Sequence, residues 1–157
     1  MTRTGHIPHE AMARLSGLDL LREMLAGRLP GPPIAKTLDF TMIEADEGFV
    51  VFEGTPRHDF DNPLGTIHGG WTATLLDSAM ACAVHSTLKP GQGYTTVEFK
   101  VNCVRPITEA TGRVRCEGRL VSAGRTLATS EGRLLDARGK LLAHGVETCI
   151  ILAPKGG

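Results

Sequence analysis

A carboxylate stands alone in a long apolar stretch of the chain. Asp77 lies within residues 69–84, which read GGWTATLLDSAMACAV and contain no other carboxylate or base. Trp71, Leu75 and Ala79 recur at helical spacing, and apolar residues cover most of the remaining faces, a pattern typical of a buried helix. Because burying an unpaired carboxylate is costly, Asp77 is predicted to have a chemical role, as a general base toward water or as a nucleophile.

Two glycines open the same predicted helix and supply a second chemical group. The first N–H groups of a helix lack intrahelical partners and lie at the positive end of its dipole. Gly69 and Gly70 would let a substrate carbonyl approach these groups closely, which predicts an oxyanion hole. Gly69 and Asp77 are separated by eight residues, or about 12 Å of helix, so they cannot both touch one carbonyl carbon. Two antiparallel helices related by a two-fold axis would bring Asp77 of one chain to Gly69 of the other.

Structural roles remain open for the same residues. Asp77 could be a carboxylate that only bonds to backbone N–H groups, and the Gly-Gly pair could serve tight packing. Asn62, which precedes a proline, could form an ordinary Asx turn. A metal site is disfavoured because the candidate ligands are irregularly spaced; they are His58, Asp59, Asp61 and His68. We therefore expect neither a metal nor a cofactor.

The composition indicates one domain of ordinary globular character. The 157 residues include 17 basic and 17 acidic side chains, so no basic excess points to nucleic acid or to an anionic membrane. No apolar run is long enough to cross a bilayer, and the N-terminus lacks an apolar signal core. Four cysteines without a C-x-x-C pair predict buried free thiols and a cytoplasmic location; they are Cys82, Cys103, Cys116 and Cys149.

The order of the predicted elements indicates an α+β fold. A helix is expected over residues 9–27, a strand over residues 38–43 after the period changes at residue 34, its hairpin partner over 49–53, and a loop over 54–68. The buried helix follows and ends near Leu88. Four strands are then expected, over residues 95–103, 113–120, 125–135 and 140–152. Hairpin turns predict a mostly antiparallel sheet of about six strands wrapped around the one long helix, the hotdog architecture. We expect an N-terminal helical extension (1–33), the main domain (34–152) and a frayed tail (153–157).

The motif at the start of the buried helix resembles that of a known family. Asn62-x-x-Gly65-x-x-His68-Gly69-Gly70, followed by residues 75–80 (LLDSAM), is similar to the PaaI-type, phenylacetate-degradation thioesterases of the hotdog superfamily. The resemblance covers roughly residues 35–152, and its specific part is the His-Gly-Gly with an acid nine residues after the histidine. It implies hydrolysis of acyl-coenzyme A thioesters without a metal.

The resemblance also implies roles for individual residues. Asp77 matches the catalytic acid, and Gly69 matches the residue whose N–H binds the thioester carbonyl. Asn62 matches a polar residue that helps to hold this carbonyl or the attacking water. His68 matches the motif histidine, whose role is more structural. Thr96 lies where some members carry a hydroxyl that positions water.

One departure from the family pattern concerns that water. Other members carry a hydroxyl one helical turn after the acid, where this chain has Ala81. If that hydroxyl orients the water in them, either Thr96 or Ser78 does so here or the activity is low. Gly70, Arg105 and Arg125 are candidates for substrate binding, the two arginines through coenzyme A phosphates or simply as surface charge.

The acyl group is left open by the sequence. Aryl and arylacetyl groups follow from the resemblance, and medium-chain acyl groups suit an apolar tunnel equally well. Two other functions remain: a hotdog hydratase that acts on enoyl thioesters, and a non-catalytic module that binds acyl-coenzyme A. The shared site predicts a homodimer or a tetramer made of two dimers.

Overall fold

The computed structural model describes residues 3–153. Its helices are α1 (His9–Arg14), α2 (Gly17–Leu25), α3 (Pro33–Thr37) and α4 (Gly69–His85). Its strands are β1 (Phe40–Asp46), β2 (Phe49–Gly54), β3 (Gly93–Cys103), β4 (Val114–Ala123), β5 (Leu127–Leu135) and β6 (Leu141–Leu152). All neighbouring strands are antiparallel, in the order β1-β2-β4-β5-β6-β3. The predicted sheet of six strands around one long helix is confirmed.

The N-terminal third differs from the prediction in two places. The expected helix over residues 9–27 is divided, because Leu15 is extended and the Ser16 hydroxyl caps a new helix by accepting from the Asp19 N–H (3.2 Å). The Gly17 N–H also donates to the carbonyl of Leu88, beyond the end of α4 (2.9 Å). The expected strand begins at Phe40, two residues after Leu38, and the segment before it forms the short helix α3, which starts at Pro33 and was not predicted.

The remaining element boundaries lie close to the predicted ones. The hairpin of β1 and β2 turns at Gly48, which has a positive φ of 74°. The central helix ends at His85, three residues before the predicted end. Residues 154–157 of the predicted tail lie outside the described residues, and the division into extension, domain and tail stays a prediction. Within residues 3–153, no helix is both long enough and apolar enough to cross a membrane.

The central helix lies unusually close to the sheet. A Cβ atom added to Gly118 on β4 would lie 2.0 Å from the Ala79 carbonyl oxygen, and one added to Gly132 on β5 would lie 2.8 Å from Cγ of Met80. The glycines therefore let α4 settle onto the sheet. Its fully buried side chains Leu75, Leu76 and Met80 fill the core on either side.

The edge strand β3 contains a bulge that changes which residues face the helix. Its pairing with β6 shifts between Thr96 and Glu98, so Val97 is the extra residue. Before the bulge, Thr96 lies opposite the buried Cys149; after it, Phe99 lies opposite the buried Glu147. The even-numbered Thr96 and the odd-numbered Phe99 therefore lie on the same face, which a strict alternation along the strand would not allow.

The close approach of α4 to β4 leads to a stability prediction. We expect Gly118→Ala to lower the free energy of unfolding by about 2–3 kcal/mol or more, because its methyl group would overlap backbone atoms of Ala79 that cannot move alone. Gly93→Ala is the matched control, since its Cβ would meet Leu152 at an ordinary 3.8 Å. Denaturant titration of both variants measures the difference, and equal stabilities would contradict the described packing.

Candidate active site

The loop before α4 is held from several sides. The His68 N–H donates to the Phe60 carbonyl (2.7 Å) and the Ile67 N–H donates to the Ile107 carbonyl (2.9 Å). Phe60 stacks on Trp71 with ring centroids 6.0 Å apart, and Trp71 in turn donates its indole N–H to the Leu38 carbonyl (2.8 Å). These contacts fix the position at which α4 begins.

Asn62 orders the same loop through its side chain. Its Oδ1 accepts from the Leu64 N–H (2.8 Å), and its Nδ2 donates to the Thr66 hydroxyl (2.8 Å). This is the Asx-turn geometry that the sequence left open. The second N–H of the amide remains available for another acceptor, so the loop role leaves a role toward substrate open.

His68 and the two glycines divide the start of α4 between them. His68 is the N-cap residue, and its Nδ1 accepts from the Gly70 N–H (2.8 Å), which requires an unprotonated Nδ1. Within residues 3–153, the Gly69 N–H makes no hydrogen bond. Gly69 is exposed, and a Cβ added to it would meet nothing within 4 Å. The N–H of Gly69, rather than that of Gly70, is thus free to bind a carbonyl oxygen.

Asp77 lies two turns further along the same helix. In the single chain it is half-buried, less enclosed than the sequence predicted. Burial raises the pKa of the Asp77 carboxyl, and a hydrogen bond from Thr96 partly opposes this rise. The Thr96 hydroxyl lies 3.4 Å from Oδ1 of Asp77, so the structure brings these two predicted residues together across α4 and β3. Ala81 and Ser78 line the cavity beside Asp77.

A second carboxylate lies in this place, and the sequence analysis missed it. Glu147 on β6 is only 2% exposed, and its Oε1 lies 2.8 Å from the oxygen of the same Thr96 hydroxyl. Burial raises the pKa of Glu147 to about 7, and the nearby Asp77 charge adds to this rise. The sequence does contain a signal for this burial. Side chains of a strand point to opposite faces in turn, so Glu147 shares a face with Gly145 and Cys149, while Val146 and Thr148 lie on the other face.

The two chemical groups of α4 open into different cavities of the chain. Asp77 and Thr96 line a mostly apolar cavity of about 620 Å³ that reaches the N-terminal segment at Ile7 and Met12. Asn62 and Gly69 line a separate cavity of about 370 Å³, together with Arg105. A single chain therefore does not unite the predicted oxyanion hole with the predicted acid.

The two candidate arginines differ in their surroundings. Arg105 lines the cavity of Gly69 and donates to the Leu141 carbonyl. Arg125 is exposed in the turn between β4 and β5 and lines neither of these cavities.

The remaining candidates for metal ligation and the cysteines can now be placed. The His58 ring lies 3.1 Å from the Asp61 carboxylate, and this histidine is 84% exposed. Among residues 3–153, no group of three or more His, Cys, Asp or Glu is arranged to hold a metal ion. All four cysteines are free, but the prediction that all are buried is wrong, because Cys103 at the end of the edge strand is exposed.

Comparisons with known proteins identify the family of the chain. A family model described as the thioesterase superfamily matches residues 64–143. Human acyl-coenzyme A thioesterase 13 is 30% identical over 130 residues, which cover 82% of this chain and 91% of the human protein. A phenylacetic acid degradation-related protein from Ralstonia eutropha JMP134 has 30% identity and a TM-score of 0.76, over 83% of this chain and 98% of that one.

A more distant structure has the same fold. The PaaI protein of Escherichia coli is 21% identical and has a TM-score of 0.73, over 90% of this chain and 94% of its own. The family match spans about half of the sequence and includes the end of the loop from Leu64, all of α4 and β3. The resemblance inferred from the His-Gly-Gly motif and Asp77 is therefore confirmed, and the chain belongs to the thioesterase superfamily with the hotdog fold.

Proposed function

We propose that the protein hydrolyses acyl-coenzyme A thioesters to the free acid and coenzyme A, in a site shared between two chains. The observation that carries this proposal is the pair of groups on α4: a free N–H at Gly69 and a half-buried carboxylate at Asp77. The name of the human relative, which is 30% identical, supports acyl-coenzyme A as the substrate.

The Gly69 N–H would bind the thioester carbonyl oxygen at the positive end of α4. As the carbonyl carbon becomes tetrahedral, the negative charge on its oxygen grows, and the N–H stabilises it more strongly than it stabilises the substrate. Asn62, on the adjoining loop, would add its second amide N–H to the same oxygen or to the attacking water. His68 keeps this end of the helix in place through Gly70.

Asp77 of the second chain would supply the base. Its burial makes the carboxylate a stronger base than one in water. As general base it takes a proton from water while the water oxygen bonds to the carbonyl carbon; the carbon–sulfur bond then breaks, and the coenzyme A thiolate leaves and takes up a proton. As nucleophile it would form an anhydride that water hydrolyses, with the same overall balance.

The edge strand β3 supports the pairing of two chains. It is 11 residues long, and on its outer side no strand within residues 3–153 pairs with it. Val97 is 57% exposed. Phe99 is 44% exposed even though it lies on the face of the sheet that α4 covers elsewhere. A long edge strand with exposed apolar side chains favours pairing with a second copy. We propose a homodimer formed along β3, with tetramers as a further assembly of such dimers.

The cavity beside Asp77 would hold the acyl group. Its volume of about 620 Å³ and its lining by Leu21, Met24, Phe52 and Tyr94 suit an aryl, arylacetyl or medium-chain acyl group. Arg105, which lines the cavity of Gly69, would meet a phosphate of coenzyme A. A thiol-release assay over a panel of acyl-coenzyme A esters tests this function, and a hydroxyacyl product from an enoyl ester would instead identify a hydratase.

The first prediction concerns the base. We expect Asp77→Asn to lower turnover by about a hundredfold or more, because the amide cannot accept the proton, while its similar shape preserves the fold. Asp59→Asn is the matched control, since this carboxylate is 77% exposed and lies outside both cavities. Turnover of Asp77→Asn within threefold of the wild type would remove Asp77 from the mechanism.

The second prediction concerns the oxyanion hole. Gly69→Val should lose most of its turnover, since the new side chain occupies the space in front of the N–H that the carbonyl needs. Its melting temperature should stay close to that of the wild type, because a Cβ at this position meets nothing within 4 Å in the chain. Gly69→Ala should lose less activity than Gly69→Val. A fully active Gly69→Val protein would show that the thioester binds elsewhere.

The third prediction tests the shared site. Asp77→Asn and Gly69→Val homodimers should each be inactive, but a mixed dimer has one site with Gly69 from the first chain and Asp77 from the second. After random exchange, half of the dimers are mixed and each has one intact site in two, so roughly a quarter of the wild-type activity should return. The two variants are denatured together, refolded and assayed, and mass spectrometry confirms that mixed dimers form. Mixed dimers without activity would contradict a site that crosses the two chains.

A further inference from the structure

The most buried carboxylate of the described chain has an incomplete set of partners. Glu147 is 2% exposed and lies on β6 opposite Ser130 of β5 and Phe99 of β3. Its Oε1 contacts the Thr96 hydroxyl (2.8 Å) and the Cys149 thiol (3.2 Å). Its buried Oε2 has no hydrogen-bond partner within residues 3–153. An ionised carboxylate in such surroundings is costly, whereas a protonated one is tolerated.

The Thr96 hydroxyl stands between two carboxyl groups and has a single proton. Its oxygen lies 2.8 Å from Oε1 of Glu147 and 3.4 Å from Oδ1 of Asp77. If both carboxyls are ionised, the hydroxyl can donate to only one of them, and the other faces an oxygen lone pair. One added proton resolves this conflict, because a protonated carboxyl donates to Thr96 and Thr96 donates to the remaining carboxylate.

The surroundings decide which carboxyl holds that proton. Within the described residues, no cationic side chain faces Glu147. The titratable and polar groups that do face it come from the helix and strands around it, and they are Asp77, Cys82, Tyr94, Thr96, Ser130 and Cys149. His85 packs on Tyr94, and burial lowers the pKa of His85 to about 4, so it is uncharged near neutral pH. Glu147 is the more enclosed of the two carboxyls, while Asp77 opens into a cavity.

We propose that Glu147 is a positioning residue that holds a proton and thereby turns the Thr96 hydroxyl toward the Asp77 carboxylate. Thr96 then fixes Oδ1 of Asp77 and leaves Oδ2 for water or substrate. Ala81 has no hydroxyl that could bond to Asp77. Within the described residues, the Asp77 side chain therefore accepts a hydrogen bond only from Thr96. This role rests on the proposed function of Asp77.

Loss of the proton reverses the arrangement. When Glu147 ionises, the Thr96 proton turns to the 2.8 Å contact with Glu147, and Asp77 loses its donor. The site then also has two negative charges near a carbonyl oxygen that must become negative itself. Burial raises the pKa of Glu147 to about 7, so this change falls in the neutral range. Turnover is therefore supported below this pKa and lost as the pH rises through it.

The experiment compares the pH profiles of kcat in the wild type and in variants. The rate is measured from the loss of thioester absorbance, and the rate of the uncatalysed reaction is subtracted. The wild type should lose at least about fivefold in kcat between pH 6.5 and 8.5, as a single group with a pKa near 7 ionises. In Glu147→Gln, the ratio of kcat at pH 6.5 to kcat at pH 8.5 should stay close to one, because the amide N–H donates to Thr96 at every pH. Glu131→Gln, an exposed carboxylate on the neighbouring strand, should retain the decline of the wild type.

The coupling through Thr96 is tested in the same assay. Thr96→Val removes the hydroxyl. In this background, adding Glu147→Gln should change the ratio of kcat at pH 6.5 to kcat at pH 8.5 much less than it does in the wild type. Equal effects of Glu147→Gln in the two backgrounds would overturn the positioning role. Identical profiles of the wild type and Glu147→Gln would overturn it as well.

A measurement without substrate separates this inference from the thioesterase proposal. In protein with ¹³C-labelled glutamate carboxyls, one resonance that is missing from Glu147→Gln should titrate with a pKa of about 7. A resonance of Glu147 that titrates in the ordinary range of glutamate would overturn the inference, whatever the activity. If the protein hydrolyses no acyl-coenzyme A while this resonance titrates near 7, the proposed function fails and the proton on Glu147 stands.

Discussion

The depth at which α4 lies in the sheet determines the environment of its carboxylate. Glycines at positions 118 and 132 remove the side chains that would otherwise hold the helix away from β4 and β5. The helix therefore presents Asp77 to the edge of the sheet, at hydrogen-bond distance from Thr96 on β3. Burial of the carboxyl by these neighbours raises its pKa above that of a surface aspartate, as the proposed role of a base requires. Packing of small residues thus controls a property of the proposed catalytic group.

The length of the same helix sets a second constraint. The free N–H of Gly69 and the carboxylate of Asp77 are about 12 Å apart along a rigid rod, and in one chain they open into separate cavities. Flexible loops could close such a gap, but two groups on one helix cannot approach each other. Joint action on one thioester therefore requires a second helix. The exposed apolar residues of β3 offer the surface along which a second chain would bring it.

The sequence predicts much of this arrangement, because its strongest signals are local. The apolar run with one acid, the Gly-Gly start and the hairpin turns each act within a few residues, and the six-stranded antiparallel sheet around one helix follows from their order. The period of two in β6 would have placed Glu147 inside the fold, but its contact with Thr96 depends on strands that meet only in the folded chain. The bulge at Val97 has no signal in the alternating pattern of β3, although it turns Thr96 toward the helix. The break at Ser16 is accompanied by a bond from the Gly17 N–H to the Leu88 carbonyl, two groups that meet only in the folded chain.

The source of the hydroxyl beside Asp77 has a consequence for assembly. A hydroxyl on the helix would be fixed by the helix itself, but Ala81 provides none, and Thr96 comes from an edge strand with a bulge at the next residue. An edge strand is free on one side and can change its twist or register at a bulge more easily than a central strand can. Pairing of β3 with a second chain would hold the bulge from both sides. In such a dimer, the interface would not only supply the partner's Gly69 but also hold the Thr96 hydroxyl between Asp77 and Glu147.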